Sequence, residues 1–221
     1  MQTLISNRII HLLLFALLLS SAGCFSLSHD APPQQHYVLG ADGPPELAAP
    51  PRDRPLADFS GHLVGLRPPR MAEYLATPFI VVRRGSHQVE FSEYHRWGED
   101  LGRAINRTVA VRLAALAPSH RVERAPWPSG TSPELLIQLQ ILRFEGVGPE
   151  RSESGEGEAH LLATWEILRP LDGAVLGRGT TEVREGGWSV GDFDGLVRLL
   201  DSGLATLAGE LAVSLAGAEA P

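Results

Sequence analysis

The chain of 221 residues is 43% hydrophobic and 20% charged, which is ordinary globular usage, so it can bury a core and is not chiefly disordered. Its formal net charge of −7 disfavours generic nucleic-acid binding. It contains no Lys, which excludes a Walker A ATPase and a lysine-imine enzyme, since both need that amine.

Met1 to Arg8 is polar, and Ile9 to Leu19 is apolar except for His11, the layout of a secretory signal. The apolar run is stopped by Ser20-Ser21-Ala22-Gly23, short of the ~20 residues a membrane span needs. Cys24 follows directly and is the only cysteine, so no internal disulfide can form. The segment resembles a lipobox, with Ser21 where the bacterial pattern prefers Leu. The expectation is a signal peptide over 1–23 and an acylated Cys24. The alternative is a secreted protein without lipid, cut near Ser20-Ser21-Ala22. Two or three acyl chains, at about 0.8 kcal/mol per buried methylene, would hold the chain at a bilayer. Phe25 stands where an Asp would be the inner-membrane retention signal of enteric bacteria. By that analogy, the placement is the periplasmic face of the outer membrane.

Residues 24–35 are polar and contain Pro, a flexible tether. One domain is expected over 36–217. A short strand is predicted at His36 to Leu39, a Pro- and Gly-rich loop at Gly40 to Pro55, and a second strand at Phe59 to Leu66. Pro68-Pro69 ends it, a turn or short helix spans Met71 to Ala76, and Phe79 to Val82 returns to strand. A hairpin through Arg84-Gly85-Ser86 leads to His87 to Phe91. Spacings of three and four from Trp97 through Leu101, Ala104, Ile105 and Thr108 predict a helix from Tyr94 to Ala117, ended by Pro118.

A short strand at Arg121 to Glu123 precedes Leu135 to Phe144, where Leu135, Ile137, Leu139 and Ile141 alternate with Gln138 and Gln140. Glu145 to Gly157 is acidic and Gly-rich and reads as a mobile loop. His160 to Leu168 is a strand with Leu161, Ala163, Trp165 and Ile167 on one face, and Asp172-Gly173 turns it into Val175 to Val183. A long helix, Asp192 to Leu215, closes the chain, with Asp192 as N-cap. The fold class is α/β (α+β): a two-layer domain whose mixed β-sheet carries two long amphipathic helices on one face.

Gly187-Trp188-Ser189-Val190-Gly191 is a literal G-x-S-x-G between a strand and a helix, the context of a nucleophile elbow. In hydrolases of that type the acid and the histidine follow the serine, whereas the last histidine here, His160, precedes Ser189. A hydrolase using Ser189 is the least favoured reading. The histidines show no H-x-x-x-H spacing, so no metal is expected, and neither is a cofactor. Glu99-Asp100 and Asp192 with Asp194 stand at helix starts, where carboxylates cap free amides. Arg96-Trp97 reads either as a partner anchor or as the first core residue of a helix; Trp127, between two prolines, reads as an exposed contact or a cap on the core.

Taken together, Tyr37-Val38-Leu39, Arg67-Pro68-Pro69 leading to Tyr74-Leu75, Phe79-Ile80-Val81-Val82-Arg83 and Arg96-Trp97-Gly98-Glu99-Asp100-Leu101 resemble the PqiC-like ABC-type transport auxiliary lipoproteins. The resemblance covers nearly all of the mature chain. It implies a non-catalytic accessory part of an MCE-type transport system, whose other subunits supply the ATPase, the permease and a periplasmic lipid-conducting tunnel. It further implies docking to an MCE-domain periplasmic subunit, membrane attachment through the N-terminal lipid, and help in phospholipid movement and envelope integrity. Tyr74, Leu75, Arg96 and Trp97 match the family pattern and serve either the docking surface or the fold. Oligomeric state stays open, a homo-oligomer included. The competing class is a stand-alone periplasmic lipoprotein that binds a ligand or cell-wall component.

Overall fold

The computed structural model describes residues 32–40, 60–150 and 154–218. The signal peptide, Cys24 and most of the tether lie outside them, as does Phe59. Contacts divide the chain between Pro33 and Gln34, and the account below concerns the second unit.

The described elements are β1 (Gln35–Tyr37), β2 (Leu63–Leu66), β3 (Arg70–Met71), a 3-10 turn (Glu73–Leu75), β4 (Phe79–Arg84), β5 (Gln88–Trp97), helix α1 (Leu101–Leu116), β6 (Arg121–Arg124), β7 (Leu135–Gly148), β8 (Glu156–Arg169), β9 (Ala174–Ser189) and helix α2 (Phe193–Ala218). They form a curled mixed sheet of nine strands with two helices, the α+β class expected. β7 is its spine. Along one edge β8 runs antiparallel for almost the full length, and β9 pairs outside β8. Along the other edge β7 receives three short parallel partners in turn: β2 at Leu135 to Ile137, β3 at Gln140–Ile141 and β4 at Gly146 to Gly148.

The β8–β9 hairpin turns where the sequence said it would. Gly173 takes φ +72°, a conformation that favours glycine, and the Asp172 carboxylate accepts from the Ala174 amide at 3.1 Å. The β4–β5 hairpin turns through Gly85, at φ +61°. α2 is long and apolar enough to cross a membrane, but its stripe is the cover of the sheet. Leu196, Leu200, Leu204, Leu207, Leu211 and Leu215 are each no more than 1% exposed. Burying each such side chain is worth roughly 1.5–3 kcal/mol, so this helix anchors the fold. Asp192 caps it, its Oδ1 accepting from the Gly195 amide at 2.9 Å. α1 packs beside α2 and over β6, with Ile105, Val109 and Leu113 fully buried, and the core is one cluster between the helices and the sheet.

Three expectations need correction. The first helix starts at Leu101, not Tyr94, because Tyr94 to Trp97 is the end of β5, paired with β4 and β1. Trp97 reaches the core from a strand, and Asp100 caps the helix, accepting from the Arg103 amide at 2.8 Å. The three- and four-residue spacing from Trp97 therefore spanned two elements. Glu145 to Gly157 is strand at both ends: β7 runs on to Gly148 and β8 begins at Glu156. A β-bulge between Ile141 and Arg143 is the reason, since it moves the core positions from Ile141 to Phe144 and breaks the alternation. Finally, β1 is Gln35–Tyr37, one residue earlier than expected and ending before Val38.

The start of the domain is tied to both helices. The Asp201 carboxylate, on α2, accepts from the Gly40 amide at 3.0 Å and pairs with Arg112 of α1 at 2.6 Å. Arg107 of α1 donates to the Leu39 carbonyl at 3.1 Å and pairs with Glu99 at 2.5 Å. The segment that follows β1 is thus fixed to both helices.

Candidate functional site

Helix α2 covers one face of β7–β9 and leaves the other open, while α1 packs beside α2 and over β6. On that open face the pairing registers align two polar rows across four strands or segments. One row runs Arg70, Gln140, Thr164 and Thr180; the other runs Gln138, Glu166 and Arg178, with Arg67 beside it. These side chains line an open groove of about 460 Å³, walled by the Arg67-Pro68-Pro69-Arg70 segment. That segment is held from behind: the Arg67 carbonyl accepts from the Asn106 amide of α1 at 2.8 Å, and the Arg67 amide donates to Ile137 at 3.2 Å. Behind the floor, Gly179 leaves room for the Trp165 indole on the far side of the sheet, which any Cβ there would run into. Trp165 is itself fixed by an N–H bond to Thr181 at 3.2 Å, and Thr181 in turn donates to Glu210 of α2.

The electrostatics of the groove set it apart. Among the described residues Arg67, Arg70 and Arg178 form no ion pair, although Arg83, Arg84, Arg107, Arg112 and Arg184 all do. Glu166 is the only acid in the lining and likewise has no paired cation. Gln138, Gln140, Thr164 and Thr180 add neutral donors and acceptors. The arrangement can accept an anion and hold it by several hydrogen bonds from different strands.

Beyond the bulge the same face is different. Glu145 is fully buried and paired with Arg83 at 2.5 Å and Arg143 at 3.8 Å. His160, 1% exposed, meets Glu182 at 3.1 Å through Nε2, while its Nδ1 has no partner among the described residues. Burial holds the His160 imidazole below its usual range, and the cations Arg184 and Arg143 push the same way. Arg184 closes the network onto Glu158 and Glu182, each at 2.9 Å.

The residues singled out from the sequence fall into separate places. Leu75 and Trp97 are core, 1% and 5% exposed, and Trp97 packs on Phe144 with ring centroids 5.8 Å apart. Tyr74 joins the charged network: its hydroxyl donates to the Leu142 carbonyl at 3.1 Å and its ring lies under Arg83. Its pKa is pushed up to about 12, first by burial and then by the Glu145 carboxylate. Arg96 lies over the Phe79 ring at 4.7 Å. Leu75 and Trp97 line a common hollow; Tyr74 and Arg96 do not share a cluster. Trp127 is half-buried and packs over Gly65, donating to Glu123 at 3.4 Å, so it caps the β2–β6 edge. Cys24 lies outside the described residues.

Ser189 ends β9 and is exposed. His160 stands opposite Arg184, five residues away along β9, roughly 17 Å at 3.3 Å per residue, so it does not serve Ser189. The G-x-S-x-G segment is instead built around its Trp188. That indole is 1% exposed, donates to the Asp192 carbonyl at 2.9 Å, and occupies the space left by Gly146 and Gly157. No group of three or more potential metal ligands occurs among the described residues.

Sequence reading found Gln138 and Gln140 but missed Arg70, Thr164, Glu166, Arg178 and Thr180. The signal was there: polar residues alternate in phase on β8 and β9, but only the strand register shows that they share a face.

A family model described as ABC-type transport auxiliary lipoprotein component matches residues 37–212. The chain belongs to that family. The fold is similar to that of a Xanthomonas campestris protein of family DUF330, whose crystal structure aligns at TM-score 0.57 and 17% identity, covering 69% of this chain and 82% of that one. A second crystal structure, of an uncharacterized protein, aligns at TM-score 0.58 and 16% identity over 82% and 97% of the two chains. At such identities the likeness shows the fold alone. No curated protein matches.

Proposed function

We propose that this auxiliary lipoprotein serves an MCE-type ABC transport system, standing on the periplasmic face of the outer membrane by an acylated Cys24 and assisting phospholipid transport. The observation that carries the reading is the match to transport auxiliary lipoproteins over 37–212. The open face supports it, since a domain whose helix α2 covers one side of β7–β9 keeps the other for a partner or cargo. The fixed start of the domain at Leu39 and Gly40 suits a chain held by a preceding tether. Leu75 and Trp97 act through the fold, leaving Arg96 and the groove as the docking candidates. The role is accessory and not catalytic.

The test is affinity capture of the full lipidated chain from detergent-solubilised envelopes. An MCE-domain subunit is expected in the eluate, and deletion is expected to weaken the envelope lipid barrier. Absence of both results overturns the reading. Mass spectrometry of the mature N-terminus checks the anchor: a thioether-linked diacylglycerol on Cys24 is expected, and a terminus at another residue would refute it.

A further inference from the structure

We infer that the groove between the Arg67-Pro68-Pro69-Arg70 segment and the open face of β7–β9 binds a phosphate ester whose other end carries an ammonium or hydroxyl group. The inference deepens the transport reading and rests on it for one of the two sources of such a ligand, a phospholipid headgroup; the other source is a free phosphate ester. Three guanidinium groups, from the segment after β2, from β3 and from β9, line one hollow without a carboxylate partner among the described residues, in a chain whose net charge is −7. A planar carboxylate is satisfied by a single arginine fork, whereas a phosphate accepts hydrogen bonds from several directions, as donors on separate strands provide. Gln138, Gln140, Thr164 and Thr180 extend the donor set between the arginines. Glu166 stands in register with Arg178, so an anion held by Arg178 lies near a carboxylate free to receive the ligand's ammonium or hydroxyl group. The volume, about 460 Å³, falls within the range of roughly 300–1,000 Å³ usual for small-ligand sites.

The site is held by structure that does not depend on the ligand. Asn106 fixes the Arg67 carbonyl, and the β8–β9 ladder fixes Glu166 against Arg178. Exchange of the groove side chains therefore tests binding without removing a core contact.

The experiment uses the full chain in non-ionic detergent, titrated calorimetrically with glycerophosphoethanolamine and, separately, inorganic phosphate. Binding of the ester is expected, with Arg67→Gln, Arg70→Gln and Arg178→Gln each weakening it about tenfold or more, the size of a lost charge-assisted hydrogen bond. Arg178→Lys is expected to recover part of the loss, and all four variants to keep the wild-type urea midpoint, which a merely structural role would move. Glu166→Gln is expected to weaken the ester and leave phosphate unchanged. No binding of either probe at millimolar concentration overturns the proposal, as does phosphate bound as tightly as the ester with Glu166→Gln silent. Lipid extraction of the purified chain separates the sources. Phospholipid retained by the wild type and lost from the triple Gln variant assigns a headgroup; equal retention in both, with the ester still bound, assigns the free ester. Capture of an MCE subunit is a separate measurement, so failure of the groove and failure of the transport reading are distinguishable.

Discussion

The open face of β7–β9 has two halves that meet at the β7 bulge, and they treat charge in opposite ways. Above the bulge, Arg83, Arg143 and Glu145, with His160, Glu182, Arg184 and Glu158 beside them, satisfy one another within the molecule. Below it, Arg67, Arg70, Arg178 and Glu166 form no ion pair among the described residues. A buried ion pair is expensive to break because removing one partner strands the other in a medium that solvates it poorly. An unpaired, exposed charge contributes little to stability, and so stays available to something outside the chain. Position on one sheet face is therefore not enough to assign a role; whether a charge is already answered from within decides it.

The largest expected effect comes from breaking the answered half. Glu145→Ala leaves Arg83 and Arg143 without their buried carboxylate and is expected to cost about 3–5 kcal/mol in urea unfolding. A loss below about 1 kcal/mol would mean that the two halves do not differ as argued. Next is pH. His160 has a folded pKa below the unfolded value, so the unfolded chain takes up its proton first as pH falls. Stability from the neutral imidazole is full above about 6.5 and is lost as pH drops toward the lower folded value, by at most about 1.4 kcal/mol per pH unit. The groups facing it are Arg143 and Glu145 on β7 and Glu182 and Arg184 on β9. His160→Asn is expected to flatten that part of the stability curve, and an unchanged slope between pH 6.5 and 5 would refute the assignment.

Tyr74 gives a smaller effect in the same half. Its folded pKa of about 12 lies above the usual 10, so the stability it confers is present below about pH 10 and is lost as pH rises through 12. Ultraviolet titration should show one tyrosine ionising near 12, absent in Tyr74→Phe. That variant loses the bond to the Leu142 carbonyl, worth about 1 kcal/mol. If Tyr74→Phe removes no ionisation near 12, Tyr74 lies outside the charged network.

How much of this was legible in the sequence follows from which contacts are local. The helix stripe of α2, the Asp192 cap and the Asp172-Gly173 turn were readable because each is fixed by residues within a few positions. The start of α1 was not, since Trp97 ends a strand whose core-facing side chain happens to keep helical spacing with Leu101. Glu145 reads as loop in the sequence because the bulge at Ile141 to Arg143 interrupts the alternation that marks a strand. The groove was half legible: Gln138 and Gln140 declared a polar face, but Arg70, Glu166 and Arg178 join it only through pairings that span tens of residues. Tyr74-Leu75 and Arg96-Trp97 stood out as pairs, yet in each pair the apolar member is core.

The smallest expected effect is the sharpest check on the comparison. Arg178 is exposed, forms no ion pair among the described residues and faces away from α2, so Arg178→Gln removes no buried contact. Its unfolding free energy should stay within about 0.5 kcal/mol of the wild type, the usual range for surface changes. Arg184→Gln, six positions along the same strand, serves as the control. It breaks pairs to Glu158 and Glu182 that are themselves partly exposed, so its cost should be modest, up to about 1 kcal/mol. Raising salt should then separate the two. The deficit of Arg184→Gln shrinks as screening weakens the pairs it lost, while the stability of Arg178→Gln relative to wild type does not move, because there was no pair to screen. A salt-dependent deficit at Arg178 would reveal a carboxylate partner for it, and the groove would then belong to the answered half of the face.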